Sequence, residues 1–319
     1  MTRWRLIVNG KAAGMPELRD AVAARRARGF DVGVRVTWEH GDATRYANEA
    51  IGDGVDCIVA AGGDGTLGEV AGAIAACASS TPTPDLAVLP LGTANDFATA
   101  AGIPDDLEDA FALAERDAVP VDVLRIEADG AERWCMTVAT GGVGTHATAD
   151  VHEGLKKHLG SLSYLLGSVR AIRNMQRHPV ELDGPGFRWR GDMLALAIGN
   201  ARQAGGGHPV CPDALIDDGA LDVTVVPDLP EGVVGALKTA LTDGREAVVE
   251  EAGERARLPW VELRAAKPLT LHLDGEPVEG GRFRIECLAH RLRMRLPAGC
   301  PLLGGTAPPP DRATPREPL

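Results

Sequence analysis

The sequence predicts an α/β domain followed by an antiparallel β-sandwich, and three features of its pattern predict it. Short apolar runs alternate with longer amphipathic ones from residue 5 to about 120. A glycine cluster, Gly62-Gly63-Asp64-Gly65, lies between one such apolar run and a helical pattern. From about residue 121 the rhythm changes to strands separated by turn residues. Strand–helix alternation is the signature of a parallel sheet covered on both faces, whereas a run of short strands indicates a sandwich.

Taken in order, 6–8 reads as a first strand, and 16–28 as a helix that opens on Pro16 and stops at Gly29. Val32, Val34 and Val36 alternate as a second strand, and a helix over 42–51 follows. The run 57–61 is a third strand, 66–78 a helix and 86–89 a fourth strand. The second half reads as strands at 121–127, 134–139, 193–199, 221–226, 269–273 and 283–288. One helical pattern interrupts it, with Leu155, Leu159, Leu162, Leu166 and Val169 at three- and four-residue spacing and Lys156, Lys157, Arg170, Arg173 and Arg177 around them. That segment, about 153–177, either packs its leucines on the sandwich or lies on an anionic membrane surface. The expected domains are therefore 1–125, rejoined by about 290–303, then 126–290. The tail 304–319, with five prolines, is expected to be disordered.

Composition removes several classes. Thirty-three basic against 45 acidic residues leave a net charge of −12, which argues against nucleic acid as a partner. Six cysteines without a C-x-x-C pair make neither a zinc ribbon nor a redox motif, and the eight histidines form no H-E-x-x-H. The opening residues carry only a three-residue apolar run, and no stretch is long enough to span a bilayer. The expected place is the cytoplasm.

The chemistry concentrates in a few loops. Clustered glycines after a strand let a backbone approach phosphates, and the helix N-terminus behind them offers free N–H groups. Gly63 to Gly68 also satisfies G-x-G-x-x-G, but Asp64 inside it would repel a pyrophosphate unless a divalent cation lay between them. A metal-assisted phosphoryl transfer wants such an acid, whereas a dehydrogenase does not. One βα unit later, Leu89-Pro-Leu-Gly-Thr-Ala-Asn-Asp-Phe97 brings Thr93 and Asn95 to the same carboxyl edge of the sheet. Asp96 there reads as a first-turn acid at a helix dipole. Asp274, in Leu-Asp-Gly-Glu, is either a turn aspartate or a carboxylate placed to accept a proton. Asp217-Asp218-Gly219 is either a hairpin turn or an oxygen-rich cation site. The run Gly205 to Gly207 either admits a ligand close to the backbone or serves as a flexible connection.

Gly62-Gly63-Asp64-Gly65-Thr66 followed by residues 89–97 resembles the diacylglycerol kinase catalytic family, sphingosine kinases included. Ala139-Thr-Gly-Gly-Val-Gly-Thr145, Gly199-Asn-Ala-Arg-Gln-Ala-Gly-Gly-Gly207 and Leu271-His-Leu-Asp-Gly-Glu-Pro277 narrow it to YegS-like bacterial lipid kinases. The resemblance implies a nucleotide-binding domain like those of NAD kinases and 6-phosphofructokinases, a C-terminal β-sandwich, and a cleft between them. It places Gly62, Gly63, Asp64, Gly65, Thr66, Leu67 and Gly68 in the nucleotide phosphate loop, with Thr37 and Thr93 as further nucleotide contacts. It makes Asp274 the base, and a magnesium ligand of Asp218 with the carbonyls of Leu215 and Ala220, a structural site that calcium also suits. Glu276 is expected to aid positioning or metal binding. Where the family carries asparagine this chain has Gly68, and the first strand ends in Asn9-Gly-Lys11.

The expected function is transfer of the ATP γ-phosphate, with Mg2+, to a hydroxyl of a membrane lipid such as a diacylglycerol or phosphatidylglycerol. The enzyme would touch the inner membrane surface transiently, and a homodimer is compatible with the sequence. A kinase for a soluble acceptor such as NAD, and a non-catalytic lipid-binding protein, are the rival readings.

Overall fold

A computed structural model describes residues 2–77, 83–142, 177–228 and 253–304. The segment 155–176 and the tail beyond 304 lie outside the described residues. In the first half, β1 (Arg3–Val8), β2 (Asp31–Val36), β3 (Cys57–Gly62) and β4 (Asp85–Pro90) form a parallel sheet in the order β4-β3-β1-β2. Helices α1 (Pro16–Ala27), α2 (Asp42–Gly52) and α3 (Asp64–Cys77) connect them. Every residue of β3 is buried, as a strand covered on both faces requires. Two short helices follow β4: α4 (Asp96–Ala101), whose first turn carries Asp96 as the sequence reading has it, and α5 (Leu107–Leu113), which that reading lacks. Each spans about two turns or fewer, too short for a hydrophobic period to register.

The second half is built on β5 (Val119–Ala128), β6 (Ala131–Cys135), β7 (Val138–Gly141), β8 (His178–Gly184) and β9 (Phe187–Gly199). A two-stranded pair, β10 (Gln203–Ala204) and β11 (His208–Pro209), precedes β12 (Leu221–Pro227), β13 (Glu254–Leu258), β14 (Trp260–Leu273) and β15 (Glu276–Met294). Among these, β8 and β13 were not legible as strands. The strand expected over 134–139 is in fact two, broken at Met136 and Thr137, because the amides of both turn away from the ladder to a carboxylate of another strand. The helix expected from Thr66 begins two residues earlier, at Asp64.

The halves are not joined by a single linker. Strand β15 pairs with β14 and β5 over most of its length, then reaches the first half, where Met294 pairs with Leu86 of β4. Arg295 extends the join, its amide donating to Leu86 O (2.9 Å) and its guanidinium pairing with Asp85 (2.9 Å). A fully buried Asp122 on β5 ties the crossing from the other side. It accepts from the amides of Gly219 and His290, both at 2.7 Å.

Replacing Asp122 by Ala would leave those two part-buried amides without their carboxylate partner, at about 1–3 kcal/mol in all. We expect Asp122→Ala to lower the midpoint of urea unfolding accordingly, with Asp122→Asn less affected; an unchanged midpoint would contradict this reading.

Candidate active site

Because the strand order reverses between β1 and β3, the crevice at their carboxyl ends is where an open α/β sheet binds ligands. The loop after β3 fills that edge. Gly62 ends the strand, and a Cβ there would collide with Thr66, whose buried side chain folds back over it from the first turn of α3. Gly63 and Gly92 lie backbone to backbone: a Cβ on Gly63 would stand 3.2 Å from Gly92 Cα. Two glycines are therefore needed for the loops after β3 and β4 to meet.

The polar groups of these loops hold the loops themselves. Asp64, read as an organiser of metal and phosphates, accepts from the amides of Asp96 (3.0 Å) and Phe97 (2.9 Å) and so caps α4. Burial raises its pKa, and those two amides pull the other way. Asn95, brought to the same edge, is engaged within its own turn. Its Oδ1 accepts from Gly92 N (2.9 Å) and its Nδ2 donates to the carbonyls of Pro90 and Gly92 (both 3.1 Å). Its backbone sits at φ 51°, in the left-handed region asparagine tolerates. An amide so engaged shapes the turn. Within the expected phosphate loop, the Leu67 side chain is 2% exposed and packs in the core. Gly65 is open, Thr93 is exposed, and Thr37 joins the ends of β2 and β1, its hydroxyl accepting from Gly10 N (3.3 Å).

Asp96 is the residue sequence reasoning underrated. Its buried carboxylate accepts from Gly206 N (3.0 Å) and Gly207 N (2.5 Å), which tethers α4 to the second half. Gly205, Gly206 and Gly207 all have positive φ, so consecutive amides turn toward one anion, as in a backbone nest. The glycine run is thus a binding feature for the protein's own carboxylate.

Asp274 crosses the same boundary in reverse. With Gly275 it forms the two-residue turn between β14 and β15, at φ 50° and 93°, the geometry Asp-Gly favours in a hairpin. Its side chain points inward. Oδ1 accepts from Thr137 N (2.8 Å), Thr137 Oγ1 and Cys135 Sγ (3.3 Å), and Oδ2 from Met136 N (2.8 Å). Oδ2 also occupies the space a side chain at Gly68 would fill, 2.5 Å from its Cβ position. The missing asparagine is thereby accounted for: α3 is bare at Gly68, and the carboxylate of Asp274 lies against it. Burial raises the Asp274 pKa, and the donors from Thr137, Met136 and Cys135 oppose that rise. Neither Thr137 nor Met136 carries a sequence signal, because the contact is long-range and half of it is backbone. Glu276 is half-exposed on the turn, its Oε2 4.0 Å from His40 Nδ1, which also faces Glu69 (3.8 Å).

The expected cation site is a loop of oxygen donors. Asp218 Oδ1 accepts from Ala220 N (3.1 Å), and Oδ2 lies 3.6 Å from Arg257 Nη1. Arg257 chiefly pairs with its cross-strand neighbour Asp222 (3.1 Å) and donates to the carbonyl of Asp213. Among the described residues no three His, Cys, Asp or Glu side chains converge as metal ligands. One carboxylate with the carbonyls of Leu215 and Ala220 is a hard-oxygen set that suits magnesium or calcium.

Comparison with known proteins agrees with this architecture. Residues 3–126 match the family model of the diacylglycerol kinase catalytic domain, and residues 137–295 that of the YegS C-terminal NAD kinase beta sandwich-like domain. A "Probable lipid kinase YegS-like" of Stenotrophomonas maltophilia is 55% identical over 95% of this chain and 99% of its own. One from Pseudomonas aeruginosa is 47% identical over 93% and 95%. The solved structure described as "a putative diacylglycerol kinase from Bacillus anthracis str. Sterne" superposes with a TM-score of 0.74 at 25% identity, covering 93% of this chain and 96% of that one. No helix among the described residues is long and apolar enough to cross a membrane.

Loss of a capping carboxylate costs about 0.5–2 kcal/mol. We therefore expect Asp64→Ala to speed hydrogen exchange at the amides of Asp96 and Phe97 while those of β3 stay protected. Unchanged exchange at both would show that Asp64 does not cap α4.

Proposed function

The chain belongs to the family of YegS-like lipid kinases and is a kinase, and on that premise we propose that it moves the γ-phosphate of ATP to a hydroxyl of a membrane lipid of the diacylglycerol or phosphatidylglycerol type. The observation that carries the reading is the placement of Asp274, a carboxylate of the second half lodged against α3 directly behind the glycine loop. The free N–H groups at the start of α3 and the backbone of Gly62 to Gly65 cradle the phosphates. Thr37 and Thr93 stand at the same edge to contact the nucleotide.

A lipid hydroxyl attacks poorly while it keeps its proton. In the proposed step its oxygen bonds to the γ-phosphorus as the bond to the β–γ bridging oxygen breaks. Asp274 takes the proton, and ADP leaves. Of its two oxygens Oδ1 is saturated by three donors, whereas Oδ2 carries one, so Oδ2 is the acceptor available to substrate. A divalent cation bound with the nucleotide supplies charge neutralisation at the phosphates. Leu215, Asp218 and Ala220 would hold a separate, structural cation away from that step. Glu276, two residues from the base, sits at the mouth of the cleft and positions the turn.

Purified protein with ATP, magnesium and a bacterial lipid extract should yield a phosphorylated lipid identifiable by mass. Asp274→Asn should lose at least about a hundredfold in kcat, in line with removal of a general base. Lipid transfer at wild-type rate by folded Asp274→Asn would sink the base assignment, and transfer only to soluble acceptors would sink the lipid reading. Because the base works deprotonated and burial raises its pKa, activity should fall with decreasing pH at values above the ordinary carboxylate range.

A further inference from the structure

Among the described residues the exposed large apolar side chains are Val36 and Trp38, and Trp38 is exposed to 94%. An indole so placed gains nothing for the fold. Yet the backbone beneath it is built with care. The amide of Trp38 donates to Asp42 Oδ2 (2.7 Å), that of Glu39 to the same oxygen (3.2 Å), and Arg45 pairs with Oδ1 (2.5 Å). Asp42 is itself 4% exposed, and the amides of Trp38 and Glu39 with the Arg45 guanidinium hold its pKa down to about 2. Trp38 is therefore presented from a fixed loop.

Its position defines what it faces. Trp38 directly follows Thr37 at the carboxyl end of β2, on the edge of the sheet that carries the phosphate loop. In the order β3-β1-β2, the end of β2 lies about 10 Å from the end of β3, two strand spacings. With β- and γ-phosphates at the start of α3, as proposed above, a nucleoside extending over β1 would reach β2. The same loop reaches the second half, where His40 stands 4.0 Å from Glu276. Resting on the reading of an ATP-dependent kinase, we infer that Trp38 is the stacking platform for the purine base of the nucleotide donor. The charges around the loop disfavour a bilayer anchor: Glu39, Glu69 and Glu276 surround it, and a single indole with Val36 is a small apolar surface for a membrane that carries anionic lipid.

The test compares wild type, Trp38→Ala and Trp38→Phe in calorimetric binding of the non-hydrolysable analogue AMP-PNP, with inorganic tripolyphosphate as a ligand that lacks the base. Base–aromatic stacking predicts about a tenfold weaker AMP-PNP affinity in Trp38→Ala. Tripolyphosphate affinity should be unchanged, and Trp38→Phe should recover most of the loss. In turnover Trp38→Ala should raise KM for ATP about tenfold with kcat preserved. Equal AMP-PNP affinity in wild type and Trp38→Ala overturns the inference alone, as does a parallel loss for tripolyphosphate. Unchanged nucleotide affinity with weaker sedimentation on phosphatidylglycerol vesicles would assign the indole to the lipid surface instead. A wild type that binds tripolyphosphate but no AMP-PNP overturns the ATP reading itself.

Discussion

The burial of the Asp274 side chain is the constraint on which the junction of the two halves depends. A carboxylate removed from water is costly unless its oxygens find donors, and here two backbone amides, a hydroxyl and a thiol supply them. Those donors come from the break between β6 and β7, so that break follows from the need to satisfy the acid. The approach of the carboxylate to α3 in turn requires Gly68, since any side chain there would meet Oδ2. A turn, a broken strand and a bare helix position thus form one mutually dependent arrangement.

The loops of the first half are wired in the same manner. Asp64 reaches from the loop after β3 to the start of α4, Asp96 at that start reaches to Gly206 and Gly207, and Asn95 closes the turn between them. Each link leads from a residue of a recognisable motif to backbone amides elsewhere. The result is a chain of hydrogen bonds from the glycine loop after β3 to the second half.

The strands β1 to β4 and helices α1 to α3 were legible because period and punctuation agree there: Pro16 opens a helix, Gly29 ends it, and the buried strands are continuous apolar runs. The site was legible as a set of motifs, and the loops carrying them do come together. What the sequence could not show is the direction of the polar side chains. Asp64, Asn95 and Leu67 stand in a phosphate-loop pattern that does not distinguish a group facing a ligand from one facing the loop's own backbone. The partners of Asp274 and Asp96 were hidden for a related reason, since Met136, Gly206 and Gly207 contribute only amides, which every residue has. The long β15, by contrast, was read as 283–288 because its outer portions carry charged residues that pair with neighbours, such as Arg282 with Glu262 and Arg293 with Asp85.

These directions also resolve an electrostatic difficulty. A chain with a net charge of −12 that is to hold a polyanionic nucleotide would repel it if the motif carboxylates faced the cleft. Asp64 and Asp96 are each turned onto backbone amides, which partly neutralise them. Beside the acids Glu39, Glu69 and Glu276, the edge of the sheet presents neutral groups: amides at the start of α3, the hydroxyls of Thr37 and Thr93, and an indole. Asp274 is held by the same desolvation that raises its pKa, so the burial that organises the junction also makes this carboxylate more basic than an ordinary one.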